Sequence, residues 1–331
     1  MRPLTRLLLS LGIAAVLLGA LFYSWDLSLE KFLQTWKVLP ASAYFQALIV
    51  HAGIYVLRAT RFRLLLPAAS RPTLPAVLAV SSAHNLAAYV LPAKTGEATL
   101  VLYLRKVCDV AASEGLASLV VSRLLDLATL CLLLAVATLT LAVGGELPRS
   151  WSAPLGLGLA VGAGTLFVLS ARSDWLVVLF TRTMRVLGLH STRFGKGVEE
   201  RAEKVAQALR AAGGGGRLIG AALLSLPLWL GVFTFFLVLA RGFGLGDEFL
   251  GVEGVFGSAW AVLANILPIN GFAGAGTTEL GWGVGFQAVG VEESLALSTG
   301  LSVHIVQLGN VIMMGLAGHL VMGPMMRASR R

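Results

Sequence analysis

Two long apolar stretches of this chain stop in the same way, at a proline followed by glycine and a single glutamate. The first, Leu86 to Glu97, reads Leu-Ala-Ala-Tyr-Val-Leu-Pro-Ala-Lys-Thr-Gly-Glu. The second, Leu263 to Glu279, reads Leu-Ala-Asn-Ile-Leu-Pro-Ile-Asn-Gly-Phe-Ala-Gly-Ala-Gly-Thr-Thr-Glu. Proline removes a backbone donor and glycine permits tight turns, so neither stretch can continue as one unbroken helix. A long apolar segment follows both times. In the first it carries Arg123 and Asp126, 26 and 29 residues after Glu97; in the second His304 and Gln307 stand 25 and 28 residues after Glu279. The matched spacing predicts two structural repeats whose broken helices bring polar groups to the middle of a membrane.

Composition says where such repeats must fold. Of 331 residues, 56% are hydrophobic and 13% charged, and the mean hydropathy is +0.81. That balance identifies a polytopic membrane protein and leaves no room for a soluble domain of useful size between the apolar runs. Cys108 and Cys131 form neither a Cys-x-x-Cys pair nor a disulfide framework. Near the N terminus, Arg2 and Arg6 precede an apolar run from Leu7 to Tyr23. At 17 residues it exceeds a usual signal core, and no small-x-small cleavage site follows it directly, so it reads as a retained first transmembrane helix.

Runs of spanning length fall at about 7–23, 41–57, 115–143, 152–171, 218–240 and 294–322, and the two interrupted runs at about 74–92 and 252–290. A bilayer core leaves unpaired backbone groups no water, so continuous runs must be helices. A crossing takes roughly 20 residues, so the broken runs read as re-entrant hairpins. Six crossings place both termini on one side. With that side cytoplasmic, 21 of the 26 basic residues fall on inner segments; Lys31, Lys37, Arg149 and Arg241 fall outside and Arg123 within a helix. The positive-inside rule fixes this orientation. It also accounts for the net charge of +9 and removes the case for nucleic acid. Three crossings separate the breaks, so the second hairpin enters from the side opposite the first, an inverted repeat of the kind that secondary transporters use. The whole is one membrane domain: repeat one at about 74–143, a cytoplasmic loop at about 172–217, repeat two at about 252–322. Within the loop, Val198, Ala202, Val205 and Leu209 make one apolar helical stripe. It either rests on anionic headgroups or docks a cytoplasmic partner.

A charge in hydrocarbon is costly and normally faces a protein interior or a wet cavity. Glu97 and Glu279 therefore either cap their own helices at headgroup depth or serve a polar path, and the doubling of the pattern favours the path. A helix starting after each break aims its N-terminal amides at the same place. Arg123 and Asp126 share a helical face and can pair; Arg123 either belongs to a buried site or snorkels to the interface. His304, Gln307 and Asn310 form a stripe in the last span, either hydrogen-bonding between helices or lining the path. Lys94, Gly96 and Asn270 sit at the breaks, whose turns are set by Pro92, Pro268, Gly271, Gly274 and Gly276. His84 reads as a packing residue. Signatures of metalloprotease, serine hydrolase and P-loop chemistry are missing from the sequence. No catalytic residue, metal site or cofactor is expected.

Pro92-x-x-x-Gly96-Glu97 followed by Ser122-Arg123-Leu124-Leu125-Asp126 resembles the family named for the transmembrane domain of lysylphosphatidylglycerol synthases. The stretch from Pro268 through Gly271, Gly274 and Gly276 to Glu279 is similar to that family's second signature, and the resemblance covers nearly the whole chain. It departs at Leu100, where relatives often carry a basic residue, and at Ser122, where an acid is common. The resemblance implies a lipid flippase module, in this case a stand-alone one without the synthase domain and without aminoacyl transfer. Some stand-alone members are linked by resemblance to hopanoid or lipid-linked glycan pathways.

The expectation is thus an all-α, multi-pass protein of a bacterial-type inner membrane, with about six spanning helices and two re-entrant hairpins. Its expected role is translocation of a membrane lipid or lipid-linked headgroup. Lys94 and Arg123 would hold an anionic phosphate, with Glu97 and Glu279 balancing a cationic headgroup or a coupled proton. A non-transporting scaffold of a lipid-synthesis pathway is the alternative, and an intramembrane transferase the third.

Overall fold

The apolar runs become helices throughout the computed structural model, which describes residues 37–188, 193–266 and 272–328. Among the described residues there are eleven α-helices and no strand. They are α1 (Ala41–Leu65), α2 (Leu74–Val90), α3 (Ala98–Cys108), α4 (Ala112–Gly144), α5 (Arg149–Ala171), α6 (Asp174–Val186), α7 (Arg193–Ala212), α8 (Gly215–Gly242), α9 (Val252–Ile266), α10 (Thr277–Ala288) and α11 (Glu293–Ala328). The run at 7–23 lies outside the described residues. Of the other expected crossings, α4, α5, α8 and α11 are long and apolar enough to span a bilayer. Helix α1 has 25 residues, about 38 Å at the usual rise, but it carries Arg58, Arg61 and Arg63 within it.

That helix runs past the end expected for it. Arg58 and Arg61 were expected on a cytoplasmic segment after a run ending near 57. The helix instead continues to Leu65, and Arg61 has no exposed surface. Helix α1 keeps turning past Arg58 because Ala59, Phe62 and Leu65 on its inner face are buried, so burial of neighbours carries the arginines inward.

Each break folds its two flanking helices back on one another. At the first, a 3-10 turn over Pro92–Glu97 joins α2 to α3. Gly96 sits so near Ala87 O that a Cβ there would overlap the carbonyl, and His84 Nδ1 lies 3.1 Å from Thr99 Oγ1. At the second, α9 and α10 run antiparallel with Gly285 against the backbone of Gly257 and Gly281 against Trp260. Helices α2 and α9 have 17 and 15 residues, short of the roughly 20 needed to cross.

The hairpins are packed crosswise: α2 lies along α11, α9 touches α4, and α1 lies along α8. Close approach of α11 to α2 occurs where Gly315 faces Leu86 and Gly318 faces Ala79 and Ser82. Phe233, Phe235 and Phe236 of α8 pack with Trp282 and Phe286 of α10 to form the centre of the core. Outside it, α5 rests mainly on α4 and leaves Leu157, Val161 and Val168 exposed, the surface expected of a helix facing lipid.

The loop at 172–217 is a helical pair. The stripe on α7 turns inward: Leu209 and Ala212 are buried against Leu65, Val121 and Leu125, with Val205 packed beside them. The outward apolar face belongs to α6 instead, where Trp175, Val178, Leu179 and Val186 are exposed beside Arg182 and Arg185. The Val198 side chain is outside the described ones.

Candidate functional site

A cavity of about 670 Å³ lies between the two hairpins. Ala88, Leu91 and Glu97 line it from the first break, Asn265, Ala273, Gly274 and Thr278 from the second. Helix α1 contributes His51 and Arg58, α4 contributes Arg123 and Asp126, α8 contributes Trp229, and α11 contributes Gln307. The sequence pattern thus brings Glu97, Arg123, Asp126, Gln307 and Gly274 to one chamber.

At its polar end Arg123 grips Glu97 with two nitrogens. Nη2 donates to both carboxylate oxygens at 2.8 Å and Nε donates to Oε2 at 3.1 Å. Nη1 of the same arginine donates to Asp126 Oδ2 at 3.2 Å, the pairing that the three-residue spacing anticipated. Asp126 is a hub: Arg61 Nη2 lies 2.8 Å from Oδ1, and Trp229 Nε1 donates to the same oxygen at 3.1 Å. Arg61 also donates through Nη1 to Ser225 Oγ at 2.8 Å, so its fully buried charge is tied to α8 and α4. The two arginines differ in what they face. Arg61 is 0% exposed, whereas the Arg123 side chain is 40% exposed and opens on the cavity.

Beside this network further hydrogen bonds join three helices. Arg58 Nη1 donates to Asn85 Oδ1 at 2.9 Å, and Asn85 Nδ2 donates to Tyr55 Oη at 2.6 Å. Gln307 Nε2 donates to Tyr89 Oη at 2.9 Å, which ties the last helix to the first hairpin. Asn310 continues the stripe but reaches Tyr44, whose hydroxyl donates to Oδ1 at 3.3 Å, and it is away from the cavity.

Glu279 behaves differently from Glu97. It is 3% exposed and accepts from Gly276 N at 2.7 Å through Oε2, the return half of a capping box on α10. Its other oxygen lies 2.6 Å from His304 Nδ1. Nε2 of His304 lies 3.1 Å from Ala273 O; a carbonyl only accepts, so that nitrogen donates. Ala273 has φ +57°, a left-handed conformation rarely taken by a residue with a Cβ, and His304 fastens it there. Gly274 and Gly276 are also at positive φ. Thr277 and Thr278 donate to Gly274 O at 3.0 and 2.9 Å, closing the turn.

Each glutamate therefore meets a nitrogen base from the long helix after its own hairpin, Arg123 for Glu97 and His304 for Glu279. Pro268, Asn270 and Gly271 lie outside the described residues, and so does the side chain of Lys94. Pro92 opens the 3-10 turn of the first break. Residues not singled out from sequence are Arg58, Arg61, Tyr55, Tyr89, Asn265 and Trp229. A signal existed for the first two: Arg58 and Arg61 are three apart, the spacing of Arg123 and Asp126.

The family model described as "Lysylphosphatidylglycerol synthase TM region" matches residues 7–315. Comparison with curated proteins found no match, and comparison with solved structures found none.

Proposed function

The chain belongs to the family of lysylphosphatidylglycerol synthase transmembrane regions, and from that premise we propose that it moves a lipid, or a lipid-linked headgroup, between membrane leaflets. The observation that carries this reading is the charged cavity, walled by apolar helices and lined by residues from both helix breaks. A headgroup would occupy the end formed by Arg58, Glu97 and Arg123 while the acyl chains stay against apolar walls such as Leu124, Val232 and Phe236. Buried charges without a structural excuse mark substrate paths in membrane proteins. The breaks supply that path with polar groups that an unbroken helix would have kept paired.

The rest of the architecture is read to match. Repeat one (about 74–143) and repeat two (about 252–322) form an inverted pair, the crosswise packing of α2 on α11 and α9 on α4 being what a pseudo-two-fold between them would give. The hairpins are re-entrant. The membrane is a bacterial-type inner membrane, with both termini and the α6–α7 pair on the cytoplasmic side, where Arg172, Arg182, Arg185 and Arg217 cluster. Helix α6 lies flat in the headgroup layer with Trp175, Leu179 and Val186 toward the acyl chains. A scaffold using the α7 stripe is the weaker reading, since Leu209 and Val205 are engaged inside the bundle. Reconstitution into vesicles that carry a fluorescent phospholipid tests the proposal. The protein should accelerate exposure of inner-leaflet label to an external quencher over protein-free vesicles.

A further inference from the structure

The charges of the cavity bear on which headgroup it admits, an inference that rests on the lipid-translocation reading above. Among the described residues, Glu97 and Asp126 are the carboxylates that line it. Both are already committed. Glu97 is held by Arg123 at 2.8 Å on each oxygen, and Asp126 receives Arg61, Arg123 and Trp229. Glu279 is turned to Gly276 and His304 and does not line the cavity.

The cations are in excess. Arg58 and Arg123 line the cavity, and Arg61, fully buried outside its lining, also pairs with Asp126, so three guanidiniums among the described residues stand against those two carboxylates. Arg58 is the surplus one: its Nη1 donates to an amide oxygen of Asn85, its Nε is buried without a hydrogen-bond partner, and no ion pair engages it among the described residues. Two helical turns earlier on α1, His51 also lines the cavity, and its Nδ1 is likewise buried and unpartnered. A guanidinium in a largely apolar chamber is costly until an anion or a strong acceptor meets it, and buried polar atoms are normally satisfied.

We infer that the cavity selects lipids with a net-negative headgroup, a phosphodiester bearing a neutral substituent, which Arg58 holds through its phosphate. An aminoacylated headgroup is disfavoured, because its ammonium groups would find every lining carboxylate already paired and would lie beside Arg58 and Arg123. The family description names a lysylated lipid; the charge arrangement of this chain fits the anionic lipid without the lysine.

The test is equilibrium binding to the full-length protein in detergent, read by native mass spectrometry. Phosphatidylglycerol, lysylphosphatidylglycerol and phosphatidylcholine are titrated against wild type, Arg58→Gln and Arg58→Lys, with circular dichroism confirming the helical fold. Phosphatidylglycerol should bind at least tenfold more tightly than its lysylated form. Arg58→Gln should weaken it by about tenfold or more, the usual weight of a charge-assisted hydrogen bond, while Arg58→Lys retains most of the affinity. Equal or tighter binding of the lysylated lipid would overturn the inference, as would unchanged phosphatidylglycerol affinity in folded Arg58→Gln. The wild-type comparison of the two lipids decides the matter even where Arg58→Gln does not fold. Saturable binding of both lipids without preference defeats the charge selection alone, whereas no saturable lipid binding at all brings down the translocation reading with it.

Discussion

His304 Nδ1 lies 2.6 Å from Glu279 Oε1, joining the last long helix to the hairpin that precedes it across 25 residues, one fewer than the 26 that separate Arg123 from Glu97. The two contacts are chemically unlike. One is an arginine fork open to a cavity; the other is an almost fully buried pair that fastens a turn. Substitutions at the two sites are therefore expected to fail in different ways.

Loss of the Glu279–His304 contact should show first in stability. Glu279→Gln keeps an acceptor for Gly276 N, so the cost should be near the 1–3 kcal/mol of an impaired buried hydrogen bond. It would appear as a lower apparent melting temperature in detergent. Ala273→Gly should be neutral or stabilising because the position sits at φ +57°, whereas Ala273→Val should lower both melting temperature and abundance. Equal behaviour of the Gly and Val variants would remove the strained turn from the account.

Asp126 should be the least replaceable residue of the network. Asp126→Ala leaves the fully buried Arg61 without its carboxylate, a change that typically costs about 3–5 kcal/mol, and membrane abundance should fall sharply. Arg61→Leu combined with Asp126→Leu should recover much of that loss, because buried ion pairs replaced by apolar residues are often near neutral. Arg123→Leu combined with Asp126→Leu should not, since it still strands Arg61. Immunoblotting of membrane fractions separates these outcomes, and recovery by the Arg123 pair would mean that Arg61 is not the structural partner.

The first break depends on Gly96. A Cβ there would overlap Ala87 O and the Ala88 backbone, so even Gly96→Ala should force α2 and α3 apart and reduce abundance. Gly158→Ala on α5 meets nothing within 4 Å and serves as the neutral control. Comparable yields for both variants would contradict the close packing of the hairpin.

Orientation is open to labelling. Cysteines at Ser150 and Glu203, introduced after removal of Cys108 and Cys131, should react with a membrane-impermeant maleimide from opposite sides of intact cells. A spin label at Leu179 should report burial about 5–10 Å below the headgroup boundary in vesicles, with one at Glu203 in water. A water-exposed Leu179 label would place α6 away from the membrane surface.

Much of this arrangement was legible from residue order alone. The paired breaks, the helical class and the pairing of Arg123 with Asp126 follow from hydropathy, proline and glycine chemistry and a three-residue spacing, whereas the meeting of Glu97 with Arg123 is a fact of packing. What escaped depended on helix length and packing. Arg58 and Arg61 looked like loop charges because periodicity does not show that Phe62 and Leu65 prolong α1 inward. Glu279 looked equivalent to Glu97, yet its capping bond to Gly276 turns it from the cavity. The stripe of Val205 and Leu209 was visible as a stripe, but amphipathic periodicity cannot say whether the apolar side meets lipid, a partner or the chain's own α4.

The central claim, that the two breaks form one translocation path, is tested most directly by transport in vesicles with Glu97→Gln and Arg123→Gln, singly and together. Their contact faces the cavity, and the fully buried Arg61 still pairs with Asp126 in either variant, so both proteins should fold and reconstitute. Each single variant should slow movement of a fluorescent phosphatidylglycerol between leaflets by tenfold or more, roughly the weight of one charge-assisted contact, and the double variant by little further. Wild-type rates in the double variant, at equal reconstituted protein, would contradict the account.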